Sequence, residues 1–348
     1  MGGTAAVVGG GIGGLATAIG LHRAGWDVRV YERARSLPDA GTALGMWPAA
    51  LRALDALGLG ERARAAGRPQ PAGALLRADG SRIARVDVGR DPVYLLSRPA
   101  LLRLLVGGLP DGVVRYATPV DELGPLRDSH DVVVAADGVF SRTRAALFGD
   151  RYRARYTGST AWRGVVPMET GTMSETWGVD GRFGVTPHES GWTNWYATMP
   201  APEGGHAGDG GELATLRDLF GDWHEPIRRV LSLLTEDAIL RHDLYELRPP
   251  LPSFVCGTVA LIGDAAHAMT PDLGRGACEA LLDGVALAEC LGGARDVHSG
   301  LSRYDSRRRR PAQRVAAMSR RVNRLAQARR FTRLRDTAVR LAAGLTSS

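Results

Sequence analysis

Uninterrupted apolar runs at three places, Ala5–Val8, Val132–Ala136 and Val259–Ile262, predict strands of a parallel sheet buried on both faces. Each gives way to glycine or to an acid beside glycine: Gly9, Asp137-Gly138 and Gly263-Asp264. After the first run the period lengthens to that of a helix, with Ile12, Leu15 and Ile19 on one face and Gly25 as its stop. Trp26 to Tyr31 reads as a second strand ending on Glu32. Ala49 to Leu57 reads as a helix stopped by Gly58. Residues 72 to 96 read as short strands about an Asp79-Gly80 hairpin turn, with Val86 and Val88 alternating. Ser97 is placed to cap a helix over Pro99–Val106.

From about Arg151 the texture changes. Residues 152 to 200 alternate in patterns such as Trp192-Thr-Asn-Trp195-Tyr196 and predict an antiparallel sheet with bulky side chains on one face. Those aromatics either fill the sheet's core or line a flat pocket. A glycine-rich loop, Glu203 to Gly211, precedes a helical patch running to about Leu234. Gly257 to Gly293 supplies the third buried strand, a loop with Pro271 and Gly274-Arg275-Gly276, and a long alanine-rich helix. In the tail, Val315, Met318, Val322 and Leu325 predict the apolar stripe of one docked helix after Pro311, with arginines on its other face.

The chain's 348 residues suffice for two domains, and 44% hydrophobic with 23% charged residues is the balance of a globular protein. All basic residues are Arg, and the net charge of +7 comes largely from the stretch after Ser302. Without a nucleic-acid motif or interleaved aromatics, that charge reads as a solvated helix face, so no nucleic-acid partner is expected. Cys256, Cys278 and Cys290 form neither a disulfide framework nor a Cys-x-x-Cys metal site. No apolar run reaches the roughly 18 residues of a membrane span, and the first strand leaves no room for a signal peptide. A cytoplasmic protein without a metal or membrane partner, monomeric or homodimeric, is expected.

The chemistry is concentrated at the three strand ends. Gly9-x-Gly11-Ile-Gly13-Gly14 sits between a strand and a helix, so backbone N–H groups can approach a pyrophosphate at the positive helix end. Gly14 permits close helix–strand packing, and Glu32, followed by Arg33, can accept bonds from ribose hydroxyls. Gly45 lies in a small-residue loop suited to close ligand approach. Arg98 at a helix start can reach a phosphate or a ring edge. Asp264 and the helix start after Gly276 can hold a polyol chain and polarise a ring. His267 suits either proton transfer or a structural role, and no Gly-x-Ser-x-Gly or His-Glu-x-x-His is present. No catalytic side chain is certain.

With these blocks in order, the chain resembles the FAD-dependent group A aromatic hydroxylases of the para-hydroxybenzoate hydroxylase fold. The likeness spans nearly the whole chain: the glycine fingerprint with Glu32, then Asp137-Gly138, then Gly263-Asp264. It implies an α/β fold, with a Rossmann-like FAD-binding domain of the glutathione-reductase type, an inserted antiparallel-sheet substrate domain and a C-terminal helix. The expected partition is 1–150 and 256–300 for FAD, 151–255 for substrate with strands 72–96 joining it, and 301–348 for the helix. It implies that Glu32 binds the FAD ribose and Asp264 the ribityl chain. Arg98 would serve the phosphate–isoalloxazine region, Val120 would present backbone to adenine, and Gly274, Arg275, Gly276 and Ala277 would lie at the flavin ring. Departures are Pro48-Ala49-Ala50 for Pro-Asn-Ala, and Asp272 and Arg275 where Asn and Gln are usual.

The implied activity uses NAD(P)H and O2 to hydroxylate an aromatic or heteroaromatic small molecule through a flavin hydroperoxide. A single fingerprint leaves NAD(P)H without a domain of its own, as a transient co-substrate. The same scaffold also suits an epoxidase or an antibiotic-modifying oxygenase. A flavin halogenase fits less well, because Gly191-Trp-Thr-Asn-Trp195 does not match that family's Trp-x-Trp-x-Ile-Pro. The substrate is expected between Pro271 and the strands of residues 152–200. Only one of Trp195 and Tyr196 can face it, since side chains alternate, and Arg163 suits either an anionic substrate or a structural ion pair.

Overall fold

A computed structural model describes residues 2–39, 41–87, 91–208 and 210–346, the side chains of Ser190 and of 342–346 excepted. The three apolar runs meet at the centre of a six-stranded sheet. Its order is Val255–Cys256, Val259–Leu261, Val132–Ala135, Thr4–Val8, Asp27–Tyr31 and Val114–Arg115. All neighbours are parallel except the antiparallel outer strand Val255–Cys256. Between Thr4–Val8 and Asp27–Tyr31 runs the helix Ile12–Arg23, completing the βαβ unit. Val132, Val133, Val134 and Ala135 are wholly buried, as strands covered on both faces must be.

A second, seven-stranded sheet has the order Leu240–Leu247, Ala154–Val166, Thr193–Pro200, Arg182–Pro187, Met173–Trp177, Ala72–Arg77 and Arg82–Asp87. The hairpin turns at Gly80, whose φ of +85° suits glycine, and it joins this sheet through the parallel pairing of Ala72–Arg77 with Met173–Trp177. Val93–Ser97 does not join. It pairs with Ala43–Met46 and Arg68–Gln70 in a three-stranded sheet, and Ser97 at its end starts the helix Arg98–Val106, whose Leu101 and Leu105 pack with Leu15 and Leu54. Ser97 accepts from the Ala100 N–H at 3.2 Å, the cap its position predicted. Val88 lies outside the described residues.

One face of the large sheet is apolar and covered by the helices Gly211–Phe220 and Glu225–Leu233. Trp162, Phe183 and Trp195 pack there against Phe220, Ile227 and Val230. Trp195 is wholly buried and stacks on Phe183 at 5.6 Å, which settles most of the aromatic segment as core.

The C-terminal expectation needs correction. Two helices occur, Val297–Ala326 and Thr332–Thr346. The first starts before Pro311, where Asp296 caps the Ser299 N–H at 2.8 Å, and carries Pro311 inside it. Burial of Arg308 and Ala312 on either side holds the helix through the proline. The buried face is offset from the predicted stripe, of which Val322 alone packs, partly buried, against a core cluster among the described residues. Leu301, Tyr304, Arg308, Ala312, Ala316, Ser319, Asn323 and Ala326 face inward, while Met318 is 57% exposed and Leu325 39%. The surface beneath this helix is apolar where it meets Leu301 and Ala312 and elsewhere offers backbone carbonyls and carboxylates, so polar side chains share the seam. Tyr304 donates to the Leu261 carbonyl, and Arg308 to Asp283 and Glu279.

Candidate cofactor and substrate site

The helices Ile12–Arg23 and Gly276–Gly292 run side by side in the same direction. Small residues meet along the seam: Gly13 on Ala280, Thr17 on Gly284, Gly20 on Ala288 and Ala24 on Gly292. A Cβ on Gly20 would stand 2.5 Å from that of Ala288, and one on Gly284 2.8 Å from the Thr17 nitrogen. A Cβ on Gly14 would overlap the Gly9 carbonyl, so glycine there sets the helix against its strand. Neither helix has a side-chain N-cap. Two sets of first-turn N–H groups therefore open together where the strands end, a place that favours negative charge.

Around this opening the residues fit FAD. A Cβ at Gly11, Gly138, Gly274 or Gly276 would meet nothing within 4 Å, so the backbone there borders open space. Asp137 accepts from the Thr143 N–H at 3.0 Å, yet its other oxygen is buried without a partner. Glu32 accepts from the Gly10 N–H at 2.6 Å and the Ala34 N–H at 2.7 Å, which fixes the carboxylate at the end of its strand with lone pairs left for hydroxyls. Asp264 is exposed at the third strand end. Arg33 and Arg98 are exposed, and Val120 is partly buried against the sheet's core.

Arg144, which sequence reading passed over, bolts two of the motifs together. It is 1% exposed and donates to the carbonyls of Asp264, Ala265, Val139 and Tyr152. Burial pulls its pKa down, while the nearby Asp137 and Asp264 oppose that.

The two unusual charges of the loop are both neutralised. Asp272, its side chain wholly buried, pairs with Arg182 at 2.7 Å and accepts from the Asn323 amide at 3.0 Å. Arg275 lies over the Trp47 ring at 5.9 Å and pairs with Glu279 at 3.1 Å. Arg182 also reaches Glu175 at 3.6 Å, and Glu175 accepts from the Tyr196 hydroxyl. Burial and then the Glu175 charge push the Tyr196 pKa well up, so it stays a neutral donor. Gly45 accepts from the Cys278 thiol at 3.2 Å, and burial holds that thiol's pKa up at about 11.

On the large sheet Tyr196 lies opposite Arg163 and Gly184, on the polar face away from the helices. Asn194, on the same face, accepts from the Ala43 N–H at 3.1 Å, and Glu189 beyond it accepts from the Ser97 N–H at 2.9 Å. These bonds hold the polar face against the strands Ala43–Met46 and Val93–Ser97. Trp195 points the other way into the core. Arg163 is half-buried and its Nε has no hydrogen-bond partner. Burial and then the like charge of Arg98 lower its pKa. His242, two positions along the neighbouring strand from Leu240, which pairs with Arg163, is held neutral with a pKa of about 4 by burial and then by Arg163, and its Nδ1 is unpartnered. Pro271 is exposed at the start of the loop that carries Asp272. Sequence reading missed Arg182, Glu175 and His242. The one available signal was Asp272, an acid in a glycine-rich loop where Asn is usual, which when buried demands a cation.

The family model described as "FAD binding domain" matches residues 3–111 and 129–319. The aurachin C monooxygenase/isomerase of Stigmatella aurantiaca is 35% identical over 93% of this chain and 90% of its own length. The 3-amino-4-hydroxybenzoate 2-monooxygenase of Streptomyces cremeus is 34% identical over 92% of this chain and 86% of its own. The crystal structure of Klebsiella pneumoniae HpxO with FAD and uric acid superposes with a TM-score of 0.86 at 25% identity, covering 98% of this chain and 92% of that one. Among the described residues no helix is long and apolar enough to cross a membrane. The chain belongs to the FAD-dependent group A aromatic hydroxylases, and is an FAD monooxygenase that acts on a small molecule with NAD(P)H as co-substrate.

Proposed function

We propose that the enzyme hydroxylates an aromatic or heteroaromatic ring bearing an anionic or acidic group, which Arg163 holds. Arg163 carries the reading: among the described residues it is a half-buried cation without a carboxylate in salt-bridge reach, on the polar sheet face, with an unsatisfied Nε. Leaving such a donor unpaired costs about 1–3 kcal/mol, which a substrate oxyanion offsets. Neutral His242 beside it offers a second hydrogen-bonding group that does not add to the positive charge. Bound FAD supplies the oxygen-transfer chemistry, with electrons from NAD(P)H.

The chain's own residues bind, orient and exclude water. Gly11, Gly13 and Gly14 present backbone to the pyrophosphate, Glu32 and Arg33 serve the adenosine ribose side, and Val120 borders the adenine. Asp137 and Asp264 accept hydroxyls, and Gly45, Arg98 and Gly274 to Ala277 surround the ring. The Arg182–Asp272 pair fixes the loop to the sheet and so sets the gap in which the ring stands. In this division of labour residues 1–150 and 256–300 serve FAD apart from the hairpin strands Ala72–Arg77 and Arg82–Asp87, which join 151–255 in serving substrate, and the C-terminal helices brace the two. Free Cys256, Cys278 and Cys290 accord with action in the cytoplasm, as a monomer or homodimer. The test is NAD(P)H oxidation by the holoenzyme against phenols and heteroaromatics with and without a carboxylate. Arg163→Met should raise KM for acidic substrates about tenfold or more with FAD content unchanged. Equal KM values for wild type and variant would remove Arg163 from the site.

A further inference from the structure

Where the strands Ala154–Val166 and Leu240–Leu247 meet the helix Val297–Ala326, the surface opens into a cavity of about 570 Å3. Arg151, Arg155, Arg248, Arg320 and Arg324 line it against a single carboxylate, Glu246. That carboxylate is already engaged by Arg320 at 2.6 Å. Arg155, Arg248 and Arg324 are exposed, and among the described residues none of them has an acid within salt-bridge distance. Thr157 also lines the wall, and its buried hydroxyl oxygen has no hydrogen-bond partner. The lining reaches Thr270 and Asn323. Thr270 immediately precedes Pro271, and Asn323 donates to Asp272, so the cavity abuts the loop assigned to the flavin ring.

Several like charges gathered in one hollow repel one another until a polyanion completes them, and guanidiniums match phosphate oxygens in geometry. The chain has one glycine fingerprint, and FAD takes it, so NAD(P)H needs a phosphate site built from side chains. We propose that this cavity holds the phosphate-bearing half of NAD(P)H, with Arg155, Arg248 and Arg324 as its phosphate contacts. The inference rests on the enzyme's use of NAD(P)H. A second basic hollow of about 580 Å3, with Arg77, Arg82, Arg85 and Arg340, lies on the outer hairpin and last helix and includes no residue of the flavin loop. Its Arg77 is already paired with Asp336 at 2.7 Å. It serves as the control.

The experiment is calorimetric titration of the FAD-loaded enzyme with ADP and with 2′,5′-ADP, beside KM for NADH and NADPH. Arg155→Gln, Arg248→Gln and Arg324→Gln should each weaken nucleotide binding about tenfold, the loss of one charge-assisted hydrogen bond. KM for the pyridine nucleotide should rise in step, with FAD content unchanged and Arg82→Gln without effect. A larger loss for 2′,5′-ADP than for ADP assigns the site to NADPH, and equal losses assign it to NADH. Unchanged nucleotide binding in all three variants overturns the proposal. So does a rise confined to KM for the aromatic substrate, which would make the cavity the substrate's entrance. Flavin content is measured first, so a failure here counts against the cavity and leaves the monooxygenase reading standing.

Discussion

Arg182→Met removes one cation from a place where water cannot replace it. The Arg182 side chain is 2% exposed and the Asp272 carboxylate it pairs with 0%, while Glu175, its other partner, is 23% exposed. Breaking a buried pair from one side leaves an uncompensated charge, at a cost of about 3–5 kcal/mol. Spread over a chain of this length, at ~2 °C per kcal/mol, the melting temperature should fall by roughly 6–10 °C. Arg182→Met/Asp272→Asn removes both charges and keeps an acceptor for the Asn323 amide. It should recover about half of the loss or more, because the net worth of such a pair over neutral packing is small. Urea unfolding of the FAD-loaded enzyme reads both variants, and the ratio of H2O2 formed to NAD(P)H consumed reads the looser loop as uncoupling. A single variant that loses under about 1 kcal/mol, or a double variant no better than the single, would refute the reasoning.

Asp264→Ala should lower bound FAD while the apoprotein keeps its fold, because a charged acceptor is typically worth about 1.5–3 kcal/mol to a hydroxyl; full flavin occupancy after gel filtration would count against the assignment. Trp195→Ala should cost about 3–5 kcal/mol, since the ring is wholly buried against Phe183, with little change in KM. Tyr196→Phe should do the reverse, uncoupling oxidation from hydroxylation with stability nearly kept, and denaturant unfolding beside kinetics separates the two. His267 and Asp283, 2.6 Å apart and buried, define a pH window. Burial lowers the His267 pKa, but the Asp283 charge and hydrogen bond outweigh it, and the net shift is up from 6.5. Burial raises the Asp283 pKa, but His267 and Arg308 outweigh it, and the net shift is down from 3.8. The His267 contribution is thus full below pH 6.5 and lost as pH rises through its raised folded value; that of Asp283 is full above pH 3.8 and lost as pH falls. His267→Asn should flatten the alkaline limb of stability against pH, and an unchanged limb would show that His267 does not titrate there.

Local signals carried the FAD half of the fold. Ala5–Val8, the glycines after it and Glu32 fall within one short stretch, which specifies strand, turn and helix together, and Ser97 announces the next helix through its side-chain hydroxyl, which accepts from the Ala100 N–H. Contacts distant in sequence were not legible. Arg182 is one of many arginines, and nothing near it marks a partner 90 positions on in Asp272. The tail misled for a related reason. Of the stripe Val315, Met318, Val322 and Leu325, Met318 and Leu325 face out and Val322 packs partly buried beside Ala326, because Tyr304, Arg308 and Ser319 take inward positions where polar partners lie below them. Asp296, three residues before Ser299, did carry the true helix start. The seam of Gly20 and Gly284 was visible only as composition until the two helices were laid together.

Product formation by the FAD-loaded enzyme under 18O2, with NAD(P)H and an acidic phenol as substrates, tests the monooxygenase assignment most directly. Mass spectrometry should find one 18O atom in the product, with flavin released on denaturation running as FAD. Oxygen drawn from water instead, or a protein whose released cofactor is FMN or NAD alone, would contradict it.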